Sequence, residues 1–363
     1  MKEEISKKKK EIKERDMKEL AKYRKYLFAH PRLRCLFIEL TDQCNLMCRH
    51  CGSECDPAKS HYIDADLITK AIRGIAANMD GENFMICLTG GEPLLHPDFE
   101  TIVSVINQCG IPWGMTTNGI LIDRNRAERL KELNMGSISI SLDGLKEEHE
   151  WLRNVPGCFD RAIEGIENLH STGMAVQITT VVHKKNFGRL SDMYDFVKEL
   201  GVRSWRVVNI DPIGRAANNS DLFLSVDEII GLNMFIRDRR YKAGEEMDVC
   251  YGCAHYLSYD LEHETRGFYF QCGAGTTVAS ILWNGDIYGC LDIERRPELV
   301  QGNIAKDRFW DVWYKRFQPY RYDRSERCSS CMNCSERRYC GGDSMHTWDF
   351  DNNRPRICLW NNE

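Results

Sequence analysis

No stretch of this 363-residue chain approaches the roughly eighteen consecutive apolar residues that a membrane span needs. The first twenty residues are rich in lysine but have no apolar segment behind them, which excludes a secretory signal. The net charge of −5 gives no sign of nucleic-acid binding. Cysteine is abundant, at seventeen residues. Without a secretory signal that number points to a reducing, cytoplasmic compartment and to metal ligation, not to disulfides.

Charge is unevenly spread. Residues 1–34 hold thirteen Lys/Arg against six Asp/Glu. Ile5, Ile12, Met17, Leu20, Tyr23 and Leu27 recur at roughly helical spacing, so a basic amphipathic helical extension is expected over 1–34. It is read as a helix that docks on the body; the alternative is a handle for an acidic partner or peptide leader. From residue 35 short apolar runs alternate with longer amphipathic ones. Strands are expected at Cys35–Thr41, Phe84–Thr89, Pro112–Thr117, Ser137–Leu142, Ala175–Val182 and Ser204–Ile210. Helices are expected between them, near Ala65–Met79, Asp98–Gln108, Asp123–Leu133, Cys158–Ser171 and Leu190–Leu200, with one more near Ser225–Arg240. Six βα repeats make an α/β fold with a parallel sheet, closed or partly closed, and sites at the strand C-terminal ends. From about Cys250 the alternation stops, turn residues and cysteines become dense, and a second region is expected over 241–363.

Directly after the first strand comes Cys44-Asn-Leu-Met-Cys48-Arg-His-Cys51, a C-x3-C-x2-C spacing. Thiolates are ligands for iron–sulfur clusters and also for zinc, which normally takes a closed set of four. Three thiolates suit zinc poorly, although Cys55 could in principle be a fourth. They would leave one iron of a four-iron cluster open. The arrangement resembles the radical S-adenosylmethionine (SAM) enzymes, in which a [4Fe-4S] cluster binds SAM through that iron and one electron cleaves it to a 5′-deoxyadenosyl radical. The resemblance implies a partial (β/α)6 TIM-like barrel over 35–240.

Leu88-Thr89-Gly90-Gly91-Glu92-Pro93 follows the second strand and resembles the family's motif for the methionine amino group, so Gly90, Gly91, Glu92 and Pro93 are expected at the cofactor. His50 occupies a slot that in the family flanks the adenine. In similar enzymes a serine at the end of strand four reaches the ribose and an arginine twelve positions on reaches the SAM carboxylate; here these are Ser141 and Arg153. Asn118 and Val208 are further candidates for the pocket wall.

The C-terminal third carries Cys272-x12-Gly285-x4-Cys290, then Cys328-x2-Cys331-x2-Cys334-x5-Cys340, then Cys358. This resembles the SPASM auxiliary-cluster domain of ribosomal-peptide maturases and anaerobic sulfatase-maturing enzymes. The resemblance implies one or two auxiliary iron–sulfur clusters. One would take Cys331, Cys334, Cys340 and Cys358. The other would keep Cys272 and Cys290. The family's sixth cysteine falls on Ser344, beside Asp343, so that second set needs other partners: Cys253, with one of Cys250 or Cys328. Cys35, Cys87, Cys109 and Cys158 read as small buried hydrophobes.

Most enzymes with this pairing act on peptides or proteins, by crosslinking, oxidation or epimerisation; a smaller set works on haem-pathway or other small molecules. A peptide substrate is therefore expected, with a reductant such as flavodoxin or ferredoxin. Only about 34 residues precede the barrel, too few for the leader-binding domain of many such maturases, so a separate leader-binding protein is expected if the peptide has a leader. No catalytic acid, base or hydrogen donor can be singled out.

Overall fold

The computed structural model describes residues 2–79, 84–242, 247–253, 255–266 and 268–360. Its centre is one mixed sheet. Strands β1 (Cys35–Glu39), β2 (Met85–Thr89), β3 (Trp113–Thr117), β4 (Ser137–Ser141), β5 (Val176–Val182) and β6 (Ser204–Asn209) lie side by side in chain order, every pair parallel. These match the six expected strands to within two residues at each end.

The C-terminal third continues the same sheet at both edges. β7 (Asp248–Tyr251) pairs parallel with β6, and β8 (Val278–Ile281) pairs parallel with β1. β9 (Asp286–Tyr288) and β10 (Gly302–Asn303) extend the β8 edge antiparallel. The parallel part thus has eight strands, two more than the alternation in the sequence suggests.

After the N-terminal helix α1 (Lys2–Ala29), helices cover the outer face: α2 (Ala65–Ala76), α3 (Phe99–Gln108), α4 (Arg124–Glu132), α5 (Lys146–Arg153), α6 (Cys158–Ser171), the single turn α7 (Lys184–Phe187), α8 (Leu190–Glu199) and α9 (Val226–Lys242). The α2 sequence shows why. Asp64 caps its first turn by accepting from the Leu67 amide at 2.7 Å, and Ile68, Ile72 and Ile75 form one stripe that the sheet buries completely. Each such side chain contributes about 1.5–3 kcal/mol on burial. Strand residues alternate correspondingly. Ile86, Leu88, Ile138, Ile140 and Ile178 are buried with the helices. Thr89, Thr116, Ser139, Thr179, Arg206 and Val208 point the other way and line an interior chamber.

α1 lies against the C-terminal third. Met17 and Leu27 are fully buried, Met17 in a cluster with Tyr256 and Phe270, and the Arg24 guanidinium donates to the Tyr339 carbonyl at 2.5 Å. No helix among the described residues is long and apolar enough to cross a membrane.

Candidate cofactor and cluster sites

Every loop that leaves a strand at its C-terminal end arrives at one rim, where parallel-sheet proteins carry their sites. The loop after β1 holds Cys44, Cys48 and Cys51. The turn after β2 is fastened to it: the Gly91 amide donates to the Thr41 carbonyl at 2.7 Å and the Glu92 amide to the Gln43 carbonyl at 2.9 Å. Two glycines permit this approach. Gly90 has φ +134°, and a Cβ on Gly91 would stand 1.9 Å from the Gln43 carbonyl oxygen.

The three cysteines line a cavity of about 210 Å³ together with His50, Gly90, Gly91, Asn118, Ser141 and Arg153. Six of the nine residues expected at the cofactor pocket or on its wall thus line the cavity around the triplet. Val208 lies beyond them, on the wall of an adjoining chamber of about 330 Å³ that shares His50, Thr89, Thr116 and Asp292 with the first. Glu92 and Pro93 are buried but do not reach either cavity. The Glu92 carboxylate, expected to meet a cationic amino group, instead accepts from the Thr117 hydroxyl at 2.8 Å, the Asn118 amide at 3.0 Å and the Leu94 amide at 3.2 Å. Burial pushes its pKa up. Its carboxylate ties the β2 turn to the end of β3, and the cavity meets the glycine backbone. Pro93 begins the short helical turn that follows.

Arg153, the last residue of α5, lies with its Nε 2.5 Å from Asp143 Oδ2 and its Nη1 3.6 Å from Cys48 Sγ. Burial opposes charge on Asp143, but the adjacent guanidinium outweighs it and holds the carboxyl down to about 2. Burial, with Arg153 beside it, pushes His50 down to about 3, so its ring is neutral. His50 Nδ1 is buried with no hydrogen-bond partner. Cys51 is held down to about 6 by the Cys55 thiol beside it, with Arg215 also contributing. Burial raises Cys44 to about 12.

Arg215 escaped the sequence reading, because an arginine in a polar loop carries no motif. It holds the cysteine loop from outside: Nε donates to the Cys48 carbonyl at 2.8 Å, Nη2 to the Cys55 carbonyl at 2.7 Å, and its amide to the Cys51 carbonyl at 3.0 Å.

None of the seventeen cysteines is in a disulfide. Cys331, Cys334, Cys340 and Cys358, the residues expected to form one thiolate set, all line a third cavity, of about 810 Å³. Cys272 lies in electrostatic range of Cys290, which is deeply buried. Their expected partners lie in different elements. Cys328 stands beside Cys331 and Ser330. Cys250 is inside β7 opposite Arg206. Cys253 is on the chamber wall, its thiol accepting from the Asn209 amide at 3.0 Å. Two residues outside the thiol set reach Cys290 instead: its Sγ, a carboxylate oxygen of Asp292 and a ring nitrogen of His346 lie within 4.8 Å of one another.

A neutral imidazole with an orphaned nitrogen, three converging thiols and a glycine cradle fit a thiolate-ligated cluster with a bound organic cofactor. Cys44, Cys48 and Cys51 would hold the iron; Gly90, Gly91, His50, Asn118, Ser141 and Arg153 would meet SAM. Fold and site define a radical SAM enzyme with auxiliary iron–sulfur clusters. Residues 38–197 match the radical SAM superfamily, and residues 272–335 match SPASM, an iron–sulfur cluster-binding domain. The radical SAM domain binds a [4Fe-4S] cluster and SAM, and the SPASM domain binds auxiliary clusters. Among characterised relatives, the AdoMet-dependent heme synthase of Nitratidesulfovibrio vulgaris is 28% identical over 334 residues, covering 86% of this chain and 87% of that protein. The mycofactocin maturase MftC of Mycobacterium tuberculosis is 28% identical over 316 residues, covering 86% and 78%. In structure the chain is similar to Streptococcus suis SuiB bound to S-adenosylmethionine, with TM-score 0.72 and 20% identity over 91% of this chain and 77% of that one. It is also similar to anSMEcpe with bound AdoMet, with TM-score 0.72 and 19% identity over 88% and 91%. At such identities these two likenesses concern the fold.

Proposed function

We propose that this enzyme abstracts a hydrogen atom from a residue of a peptide substrate and so installs a crosslink, an oxidation or an epimerised centre in ribosomal peptide maturation. When bound, the cluster and SAM supply the 5′-deoxyadenosyl radical that takes the hydrogen. The chain's own residues orient the cofactor, wall it from water and admit the substrate.

The chamber beside the triplet supports the peptide reading. At about 330 Å³ it sits at the small end of ligand sites, room for a side chain and its backbone. Its charged walls are Arg206 against Asp211 and Asp292, an excess of negative charge. A substrate bearing several carboxylates meets repulsion there; a neutral or cationic side chain does not. MftC is named a maturase, and SuiB is known with its precursor peptide SuiA.

The similarity to heme synthases favours a second reading, an oxidase of a haem-pathway or other small molecule. Carboxylate-bearing tetrapyrroles suit the chamber less well, by size and by charge. An electron donor such as flavodoxin or ferredoxin, and a separate leader-binding protein, belong to the peptide reading. A cytoplasmic setting belongs to the same reading, since a reducing compartment keeps seventeen cysteines available as metal ligands.

The test is anaerobic reconstitution, where about eight to twelve irons are expected per chain, followed by incubation with SAM, a reductant and candidate Cys-, Ser- or Thr-rich peptides. Mass spectrometry should show 5′-deoxyadenosine together with peptide that has lost two hydrogens, or has taken up one solvent deuterium. Turnover of a haem-pathway tetrapyrrole with all peptides unmodified would sink the peptide reading. No SAM cleavage by iron-loaded protein would sink both.

A further inference from the structure

The auxiliary set around Cys272 and Cys290 is short of thiolates. Ser344 stands where the family has a cysteine, Cys328 sits with Cys331, Cys250 is inside a strand, and of the expected partners only Cys253 lines the chamber that His346 and Asp292 also line. Ser344 is fully buried, and its hydroxyl has no hydrogen-bond partner. A neutral hydroxyl is a poor ligand for iron in a sulfur environment. Two residues further on, His346 does reach the site.

His346 Nε2 lies 3.5 Å from Cys290 Sγ, and its other ring nitrogen faces Asp211 Oδ2 at 3.8 Å. Asp211 Oδ1 is 3.4 Å from His255 Nε2, and His255 Nδ1 is 3.3 Å from Asp343 Oδ2. The Asp211 carboxylate thus stands between the two histidine rings, on the side of His346 away from Cys290. A carboxylate on one imidazole nitrogen keeps the proton there and leaves the opposite lone pair for a metal, the usual support for a ligating histidine. Asp292 completes the convergence and borders both the chamber and the SAM cavity.

We propose that His346, through Nε2, is a nitrogen ligand of the auxiliary iron–sulfur cluster held by Cys272 and Cys290, in place of the missing cysteine. Asp211 is its positioning residue. The proposal rests on the SPASM region binding clusters and is independent of the substrate. Replacing a thiolate by a neutral imidazole removes negative charge from the cluster and raises its reduction potential. This auxiliary site then accepts electrons more readily than the all-thiolate one.

The test uses the full chain, reconstituted anaerobically and reduced, with pulsed EPR read before any substrate is added. A strong nitrogen hyperfine coupling is expected on one auxiliary cluster, changing isotope pattern when the protein is grown with 15N-histidine. In His346→Cys the cluster should remain, the coupling should vanish and the potential should fall. Asp211→Asn should keep the iron but shift the potential and alter the coupling, which a merely structural role would not do. Ser344→Ala should leave iron content and coupling unchanged. Absence of a histidine coupling in the native protein overturns the proposal, and so does its persistence in His346→Cys. A single metal ion at Cys290 without acid-labile sulfide also overturns it. None of these readouts depends on SAM cleavage or on a peptide, so failure of the substrate reading leaves the proposal standing.

Discussion

Arg153 and Asp143 form a buried ion pair at 2.5 Å, and the same guanidinium reaches Cys48 Sγ at 3.6 Å. One residue therefore couples the wall of the cavity beside the triplet to the cysteine loop. Asp143 is itself fixed by the Val181 amide at 2.9 Å, so the guanidinium is pre-set before any ligand arrives. Arg153→Lys keeps a charge but loses the planar fork that addresses a carboxylate. We expect its KM for SAM to rise at least tenfold while the iron content stays near native. Equilibrium SAM binding and iron analysis on the same sample check this; unchanged SAM affinity would remove Arg153 from the cofactor site.

The same pair makes a pH prediction. Asp143 is held at about 2, below its ordinary 3.8. A depressed carboxyl contributes stability that is fully present above the ordinary value and is lost as pH falls through the folded one. The native protein should therefore lose about 2 kcal/mol from this group between roughly pH 5 and pH 2. Urea titrations across that range should show the slope in the native chain and less of it in Asp143→Asn. At pH 7 that variant should also be less stable by about 3–5 kcal/mol, because Arg153 is left buried without its partner.

These two residues also show what sequence can and cannot tell. Ser141 and Arg153 could be nominated because the resemblance to radical SAM enzymes attaches those roles to a strand end and a twelve-residue spacing, which are local facts. The central elements were legible from local periodicity alone: Val176–Val182 alternates residue by residue, and Ile68, Ile72 and Ile75 keep a helical stripe. β7 and β8 were not. Each has four residues, and each is a strand because β6 or β1 offers an open edge, which is a non-local cause. Glu92 was assigned to the cofactor as a carboxylate beside two glycines, but its partners Thr117 and Asn118 come from the next strand end. Arg215 and His346 had no spacing to mark them. Only the folded chain brings them to the cysteines, 160 residues away from Cys55 in one case and 56 from Cys290 in the other.

Arg215 leads to a prediction about the loop itself. Three of its bonds end on carbonyls of Cys48, Cys51 and Cys55. Gly214 beside it has φ +54°, and a Cβ there would stand 2.4 Å from the Gly52 carbonyl oxygen. Gly214→Ala therefore combines left-handed strain, about 1–2 kcal/mol, with a backbone collision. Both Gly214→Ala and Arg215→Ala should lower iron retention at the triplet and the rate of SAM cleavage by tenfold or more. The iron lost should be about four per chain, with the auxiliary clusters spared. Cleavage at the native rate in both variants would show that the loop holds itself.

The N-terminal helix gives the last test. Of the two readings its sequence allowed, docking is what the structure displays: Met17 and Leu27 are fully buried, and Arg24 bonds the Tyr339 carbonyl next to Cys340. A Cβ on Gly341 would come within 2.4 Å of Arg24 Nη1, so the helix and the cysteine loop are in close contact. Leu27→Ala should cost about 2–5 kcal/mol if the helix unfolds with the body. Arg24→Ala removes the bond to Tyr339 and the positive charge beside Cys340 and Cys272. It should leave the triplet's iron in place while making the auxiliary clusters harder to reduce. Redox titration of those clusters, alongside thermal unfolding of both variants, checks the prediction. An unchanged potential in Arg24→Ala with an unchanged melting temperature in Leu27→Ala would mean that α1 rests on the surface without holding the cluster region.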